Sequence, residues 1–158
     1  MSNDYHILKN RYGKMVYIGE QNNQGHLCIK AQNIDLKYLK KHNYDVFVEF
    51  IYISCLEALK ISKKYDKHTF SAHMDLDRAS MKNISIKLFR KMNKKLSEKL
   101  VDVLDKFYIY GNGVFLKAVV AICKSQLDPI TKKKILLVNR EDIKKNLSNY
   151  PTSSSVSS

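Results

Sequence analysis

The stretch KFYIYGNGVFLKAVVAICKSQLDPITKKKILLV, residues 106–138, decides the fold of this 158-residue chain. It begins with aromatic and β-branched residues over the length of a strand, residues 107–110. Two glycines, at positions 111 and 113, then end that run. Apolar residues then recur at helical spacing as far as Leu127, and Pro129 ends the predicted helix because proline lacks an amide proton. Residues 135–138 are apolar throughout, as in a buried strand. The stretch therefore predicts one α/β unit of strand, helix and strand.

The same stretch resembles the CRAL-TRIO lipid-binding domain, a family found in phosphatidylinositol-transfer and tocopherol-transfer proteins. Family members run from a strand of the type KFYIIN through an apolar helix into the motif L-D-P-x-T-x-x-K-I. Its fixed places are all occupied here, by Leu127, Asp128, Pro129, Thr131, Lys134 and Ile135. The resemblance implies an α/β fold in which a mixed β-sheet flanked by helices encloses an apolar lipid pocket.

The resemblance also implies that the apolar helix is a gate that moves over the lipid pocket. The residues of this gate helix that would line the pocket are Phe115, Leu116, Val119, Val120, Ile122, Cys123 and Leu127. Without the resemblance, the same residues would be interpreted as an ordinary buried crossover helix of a βαβ unit. Both interpretations place the helix against the sheet.

Three residues match family positions that contact a lipid headgroup. In phosphoinositide-binding members, the Thr and Lys of the motif contact the inositol phosphate, and an acidic residue before the KFY strand pairs with basic residues. Thr131, Lys134 and Asp102 occupy those places here. Phe70 and Ala72 stand where the family has polar residues associated with phosphatidylcholine. The resemblance thus implies a preference for an inositol or other anionic phospholipid, although Lys134 could also be an ordinary exposed lysine.

The remainder of the chain predicts further strands and helices around this unit. Strand-like runs occupy residues 14–18, 27–31 and 69–76. Helical patterns occupy residues 34–41, 44–65, 80–105, as one helix or two abutting ones, and 140–147. A single domain is expected over residues 1–150, without the helical extension that family members usually carry at the N-terminus. The Ser-rich residues 151–158 predict a disordered tail.

Charge narrows the class of partner. The chain has 28 Lys and Arg against 15 Asp and Glu, a net charge of +13, so anionic membranes, acidic proteins and nucleic acids are all candidates. Nucleic acid is disfavoured because no aromatic residues are interleaved with the lysine run at 132–134. One surface of the helix predicted over residues 80–105 is a basic face, interpreted either as membrane-facing or as merely solvated, and it carries Lys82, Lys87, Arg90, Lys91, Lys94, Lys95 and Lys99.

Cysteine and histidine usage argues against disulfides, metals and catalysis. The three cysteines lie far apart with no C-x-x-C pair, which predicts free thiols in a reducing compartment. The five histidines show no metal-ligand spacing, and no nucleophile elbow or P-loop occurs. No leader sequence or long apolar run is present. We therefore expect a monomeric, cytoplasmic, non-enzymatic protein that associates peripherally with membranes, with a bound lipid and no other cofactor.

Two functions remain open from the sequence. The first is binding, and possibly transfer between membranes, of a phosphoinositide or other anionic phospholipid. The alternative is an adaptor that kept the fold but acts through its basic surface on a protein, a membrane or nucleic acid. A lipid that co-purifies with the protein would separate the two.

Overall fold

The fold is built on one five-stranded sheet. The computed structural model describes residues 2–140, with side chains from residue 5 onward. The strands are β1 (Val16–Gln21), β2 (Gln24–Lys30), β3 (Phe70–Asp75), β4 (Leu104–Gly111) and β5 (Ile135–Asn139). The helices are α1 (Ser2–Tyr12), α2 (Leu36–Lys41), α3 (Tyr44–Lys63), α4 (Ile86–Lys99), α5 (Gly113–Ser125) and α6 (Pro129–Lys132), with 3₁₀ turns at Ala31–Asn33 and Met81–Asn83.

The strand order follows the chain, β1-β2-β3-β4-β5, so the sheet grows in one direction. Strands β1 and β2 are antiparallel and every later pair is parallel, which makes the sheet mixed. Right-handed crossovers in such an order place all the connecting helices on the same face. Ile51 of α3, Leu88 of α4 and Val119 of α5 accordingly meet over Ile29 and Met74 of the sheet. We call this side the helical face.

A two-residue turn joins β1 to β2. Asn22 and Asn23 have φ angles of 53° and 58°, and Gln21 pairs directly with Gln24 across the turn. Asparagine tolerates the left-handed region, and two such residues in a row form the turn type that matches the twist of a hairpin. The strands predicted over residues 14–18 and 27–31 are confirmed as the two arms of a hairpin, and both extend further toward the turn than the sequence indicated.

Helix α3 packs closely on the backbone of β2. A Cβ atom added at Gly25 would lie 1.8 Å from the carbonyl oxygen of Ala58, so no side chain fits at this position. The amide of Gly25 donates to the hydroxyl of Ser62 at 2.8 Å. Phe47, Phe50, Ile51 and Cys55 of the same helix are each at most 1 % exposed. The helix predicted over residues 44–65 is confirmed, and it is buried on several sides.

The second face of the sheet carries a chain of polar side chains across three strands. Nδ1 of His26 lies 2.7 Å from Nε2 of His73, and Nδ1 of His73 lies 2.6 Å from the hydroxyl of Tyr110. Nε2 of His26 lies 2.9 Å from the carbonyl oxygen of Gln21. His26, His73 and Tyr110 are all buried, and Tyr108 stacks on His73 with 4.9 Å between ring centroids.

The carbonyl of Gln21 sets the direction of the hydrogen bonds that link His26, His73 and Tyr110. Because a carbonyl oxygen only accepts, Nε2–H of His26 is the donor to it, and Nδ1 of the same ring is left as an acceptor. His73 then donates from Nε2, and its Nδ1 accepts from the hydroxyl of Tyr110. Burial lowers the pKa of both imidazoles, so both are neutral near pH 7, and in the neutral form this direction gives each ring one defined tautomer.

Three sequence predictions differ from the structure. The helix predicted over residues 80–105 is wrong at both ends, because a 3₁₀ turn precedes α4 and Leu104 already belongs to β4. Helix α5 ends at Ser125, and Asp128 caps the next helix, α6. Helix α1 was not predicted, since its polar sequence shows no clear apolar stripe. The predicted tail at 151–158 and, beyond Arg140, the predicted helix at 140–147 lie outside the described residues.

Tertiary contacts explain why α1 forms despite its weak pattern. The ring of Tyr12 is fully buried and lies 5.3 Å from the ring of Phe47 and 5.7 Å from that of Phe50, both on α3. Tyr5 stacks on Phe50 at 6.1 Å. A few aromatic contacts thus hold a helix that its own sequence would scarcely stabilise.

The histidine pair makes folding stability depend on pH. Burial, with a smaller contribution from His26, lowers the pKa of His73 to about 3, and burial also lowers the pKa of His26. In the unfolded chain a histidine has a pKa near 6.5. Below that pH the unfolded state therefore binds more protons than the native state does. The contribution of the neutral His73 to the free energy of unfolding is therefore complete above pH 6.5 and is lost progressively as the pH falls toward about 3. We expect His73 alone to lower the free energy of unfolding by about 2 kcal/mol between about pH 7 and about pH 5.

Urea denaturation at the two pH values measures this loss. His73→Phe keeps the stacking on Tyr108, and we expect a less stable protein at pH 7 with a markedly smaller pH dependence. His68→Phe, a change at an exposed histidine, serves as the control and retains the wild-type dependence. An undiminished pH dependence in His73→Phe would contradict the assignment.

Candidate functional site

An apolar cavity of about 270 Å³ lies between α4 and the helical face of the sheet. Side chains of α4 recur every three or four residues along its wall, as expected for one stripe of an amphipathic helix. The lining includes Leu27, Ile29, Phe70, Ala72 and Phe107 of the sheet, Ile51 and Cys55 of α3, and Phe89, Met92, Asn93, Leu96, Ser97 and Leu100 on or next to α4. The cavity is thus a space that the sheet, α3 and α4 leave open between them.

Polar contacts hold α4 in place over the cavity. Lys91 and Lys95 pair with Asp45 and Glu49 of α3, at 3.0 and 2.8 Å. The side chain of Asn93 donates to the carbonyl oxygen of Gln126, after α5, at 2.7 Å. Exposed ion pairs contribute little and are screened by salt. The two ion pairs therefore add little to the attachment of α4.

The mouth of the cavity brings together the three predicted headgroup residues. Asp102, Thr131 and Lys134 all line it, although they come from two separate segments of the chain. Asp102 belongs to the loop between α4 and β4, where its φ angle is +56°. Thr131 and Lys134 belong to α6 and the turn that leads into β5. The structure thus shows that all three residues line the same cavity. Their contact with a lipid headgroup stays a prediction.

Hydrogen bonds at the mouth already engage Thr131. Its hydroxyl donates to the carboxylate of Asp128, which also accepts the amides of Ile130 at 3.1 Å and Thr131 at 3.2 Å as the N-cap of α6. These bonds, the hydroxyl first, hold the pKa of Asp128 below its usual range, so this carboxylate is ionised. Thr131 therefore offers a ligand its lone pairs rather than its proton.

Lys134 is the cation of the mouth. Its side chain is half-buried against the cavity. No carboxylate among residues 5–140 lies within ion-pair distance of its ammonium group. An ammonium group in this position can bind an anionic group at the cavity entrance.

The predicted gate residues are divided between different environments. Of these, only Leu127 lines the cavity at α4. Val119, Ile122 and Cys123 line a second cavity of about 40 Å³. Phe115, Leu116 and Val120 line neither cavity and pack in or against the core. In this structure, α4 rather than α5 is thus the helix that covers most of the larger cavity.

The predicted basic face is also divided. Besides the paired Lys91 and Lys95, Arg90 donates from Nε to the side chain of Gln126 at 3.1 Å. The four others are exposed and make no ion pair with any described residue: Lys82, Lys87, Lys94 and Lys99. Their role toward a membrane stays a prediction.

Sequence reasoning missed the cavity wall on α4. The four-residue spacing of Met92, Leu96 and Leu100 was visible and predicted an amphipathic helix. Periodicity indicates which face of a helix turns inward, but not whether the space under that face is filled.

The three cysteines are free and buried, as the sequence predicted, and burial raises the pKa of Cys28 and of Cys123 to about 12. None of the helices described between residues 2 and 140 is long and apolar enough to cross a bilayer.

The comparisons with known proteins agree with this architecture. The family model for the CRAL/TRIO domain matches residues 10–157. The chain belongs to the CRAL/TRIO family. The crystal structure of Sfh5 is similar, with a TM-score of 0.67 and 16% sequence identity, over 85% of this chain and 50% of the Sfh5 chain. No curated protein matches the chain.

The likeness to Sfh5 shows the fold alone at this identity, and the chain spans about half the length of Sfh5. The predicted mixed sheet flanked by helices is confirmed. CRAL/TRIO domains bind lipids and other hydrophobic small molecules, which agrees with an apolar cavity that has a polar mouth.

Filling the CRAL/TRIO cavity should block ligand uptake without unfolding the protein. Ala72 lies in the cavity floor, so Ala72→Phe places a ring in the open space. We expect uptake of cis-parinaric acid, a fluorescent single-chain fatty acid, to fall at least about tenfold, since each excluded methylene forfeits about 0.8 kcal/mol. Fluorescence titration measures uptake, and thermal unfolding reports the fold.

The matched control is Ala121→Phe, an exposed position on α5 that lines neither cavity. We expect it to bind the probe as the wild type does. Undiminished uptake by a folded Ala72→Phe variant would show that the probe binds elsewhere.

Proposed function

We propose that this CRAL/TRIO domain binds a lipid in the cavity beneath α4 and exchanges it between membranes, with an inositol phospholipid as the preferred ligand. The observation that carries the proposal is the joint placement of Asp102, Thr131 and Lys134 at the mouth of one apolar cavity. The apolar lining suits acyl chains, and the polar mouth suits a headgroup.

The energetics of exchange require a cavity that can enlarge. A lipid leaves a bilayer only if the protein replaces its apolar contacts, which are worth about 0.8 kcal/mol per methylene. The cavity of about 270 Å³ lies just below the usual range for ligand sites, roughly 300–1,000 Å³. Outward movement of α4 enlarges it, and the exposed pairs Lys91–Asp45 and Lys95–Glu49 oppose that movement only weakly.

The chemistry of the mouth favours a headgroup that carries both phosphate and hydroxyl groups. Lys134 supplies charge-assisted donors for a phosphate. The carboxylate of Asp102 and the lone pairs of Thr131 supply acceptors for hydroxyl donors of a headgroup, while Asp128 already accepts three hydrogen bonds within α6. An inositol ring offers several hydroxyl donors next to its phosphate. A choline headgroup offers none, so the mouth should discriminate against it.

We expect Lys134→Ala to lower inositol-lipid loading at least about tenfold, because a hydrogen bond to a charged group is worth roughly 1.5–3 kcal/mol. Competitive loading from vesicles that contain both phosphatidylinositol and phosphatidylcholine, followed by mass spectrometry, measures the preference. Lys117→Ala, at an exposed lysine of α5 that lines neither cavity, should load as the wild type does. Efficient phosphatidylcholine uptake, or an unchanged Lys134→Ala variant, would contradict this headgroup assignment.

An adaptor function is the second candidate. It is favoured by the modest size of the cavity and by four exposed lysines on or near α4 that have no ion-pair partner in the described part of the chain. Organic extraction of protein purified without detergent distinguishes the two functions. Stoichiometric lipid supports exchange, and its repeated absence supports the adaptor.

Membrane binding should depend on anionic lipid and weaken with salt, because exposed charges are screened beyond about 8 Å at physiological ionic strength. The triple variant Lys87→Glu, Lys94→Glu and Lys99→Glu should sediment at least about tenfold less with vesicles containing phosphatidylserine. The control reverses the same number of charges at Lys60, Lys63 and Lys67, around the far end of α3, and should lose much less. Equal losses in the two variants would remove the basic face from the mechanism.

A further inference from the structure

Two large apolar side chains stand exposed at the mouth of the cavity. Val101 is 69% exposed and Ile130 is 66% exposed, and both line the cavity. They come from different segments, Val101 from the loop between α4 and β4 and Ile130 from the first turn of α6. A single exposed apolar residue needs no explanation, but two that converge on a cavity opening form an apolar rim.

Basic residues accompany this rim on both segments. Lys99 precedes Val101, and Lys132 and Lys133 follow Ile130, all three being exposed. With Lys134 they set four lysines against the two carboxylates of the mouth, Asp102 and Asp128. The rim therefore combines apolar side chains with a net positive charge, the combination that binds at the interface of an anionic membrane.

We propose that Val101 and Ile130 insert into an anionic membrane and seat the cavity mouth on the bilayer. This rests on the proposed lipid exchange and specifies how the lipid enters. A lipid that crossed water between bilayer and cavity would expose its acyl chains, at about 0.8 kcal/mol per methylene. A mouth pressed into the interface removes that step, and the lysines around it attract the headgroup layer.

The exposed apolar residue on the gate helix provides the contrast. Val114 is 84% exposed at the start of α5 and lines neither cavity. If α5 were the docking element, Val114 would insert. If the mouth docks, Val101 and Ile130 insert instead, and Val114 stays in water.

Single tryptophans distinguish these orientations, because the chain contains no tryptophan of its own. Val101→Trp, Ile130→Trp and Val114→Trp are titrated with vesicles of phosphatidylcholine and phosphatidylserine, with and without brominated acyl chains. We expect a blue-shifted emission and bromine quenching for positions 101 and 130, and neither for position 114. The reverse pattern would overturn the proposal, as would vesicle binding with no insertion at any position.

A loss-of-function pair completes the test. Val101→Asn with Ile130→Asn should bind the same vesicles about tenfold or more weakly, while Val114→Asn binds as the wild type does. Uptake of cis-parinaric acid from solution needs no vesicle surface, so it should fall much less than vesicle binding does in the double variant and stay unchanged in Val114→Asn. Failure of the wild type to take up the probe would contradict lipid binding itself. If the wild type takes up the probe and the double variant still binds vesicles undiminished, only the docking surface is overturned. A protein partner would then be the occupant of the apolar rim.

Discussion

The close approach of α3 to β2 at Gly25 is the constraint on which the rest of the structure depends. With no side chain between them, the carbonyl of Ala58 and the hydroxyl of Ser62 reach the strand itself, which fixes the height of the helix above the sheet. Helix α1 packs on the outer side of α3 through Tyr12, and α4 is attached to α3 by ion pairs. The helical layer is thus anchored through α3, and its other members take their places from it.

The cavity follows from how differently α3 and α4 are held. Helix α3 is buried on several sides, whereas on α4 only Leu88 and Met92 are fully buried and the remaining apolar stripe faces partly open space. The strongly packed helix forms the floor together with the sheet, and the more weakly packed one forms the outer wall. The sequence resemblance implies that the movable element is α5. In the structure, the helix that contributes side chains to the wall of the larger cavity is α4, not α5.

Local pattern predicted the elements that local pattern governs. Strand β5, helices α3 and α5 and the two strands of the hairpin all carry their own signals. The family resemblance pointed to three residues that line one cavity, and their contact with a headgroup stays a prediction. The sequence did not reveal α1, which aromatic contacts with α3 hold in place, or the boundary at Leu104, whose apolar character suits a helix and a strand equally. The sequence could not predict the cavity, because periodicity shows which residues face inward but not whether the space between them is filled.

The ordered hydrogen bonds from Tyr110 to Gln21 have a consequence for strand alignment. A slip of β3 by one residue against its neighbours would turn His73 toward the apolar face and bring Ala72 or Met74 into its place, since side chains alternate along a strand. Tyr110 and His26 would each then lose the hydrogen bond to His73 while buried, which is costly. Parallel strands linked only by backbone bonds have many near-equivalent pairings. Here one imidazole between two strands makes a single alignment far better than its neighbours, and so guards against misfolded registers.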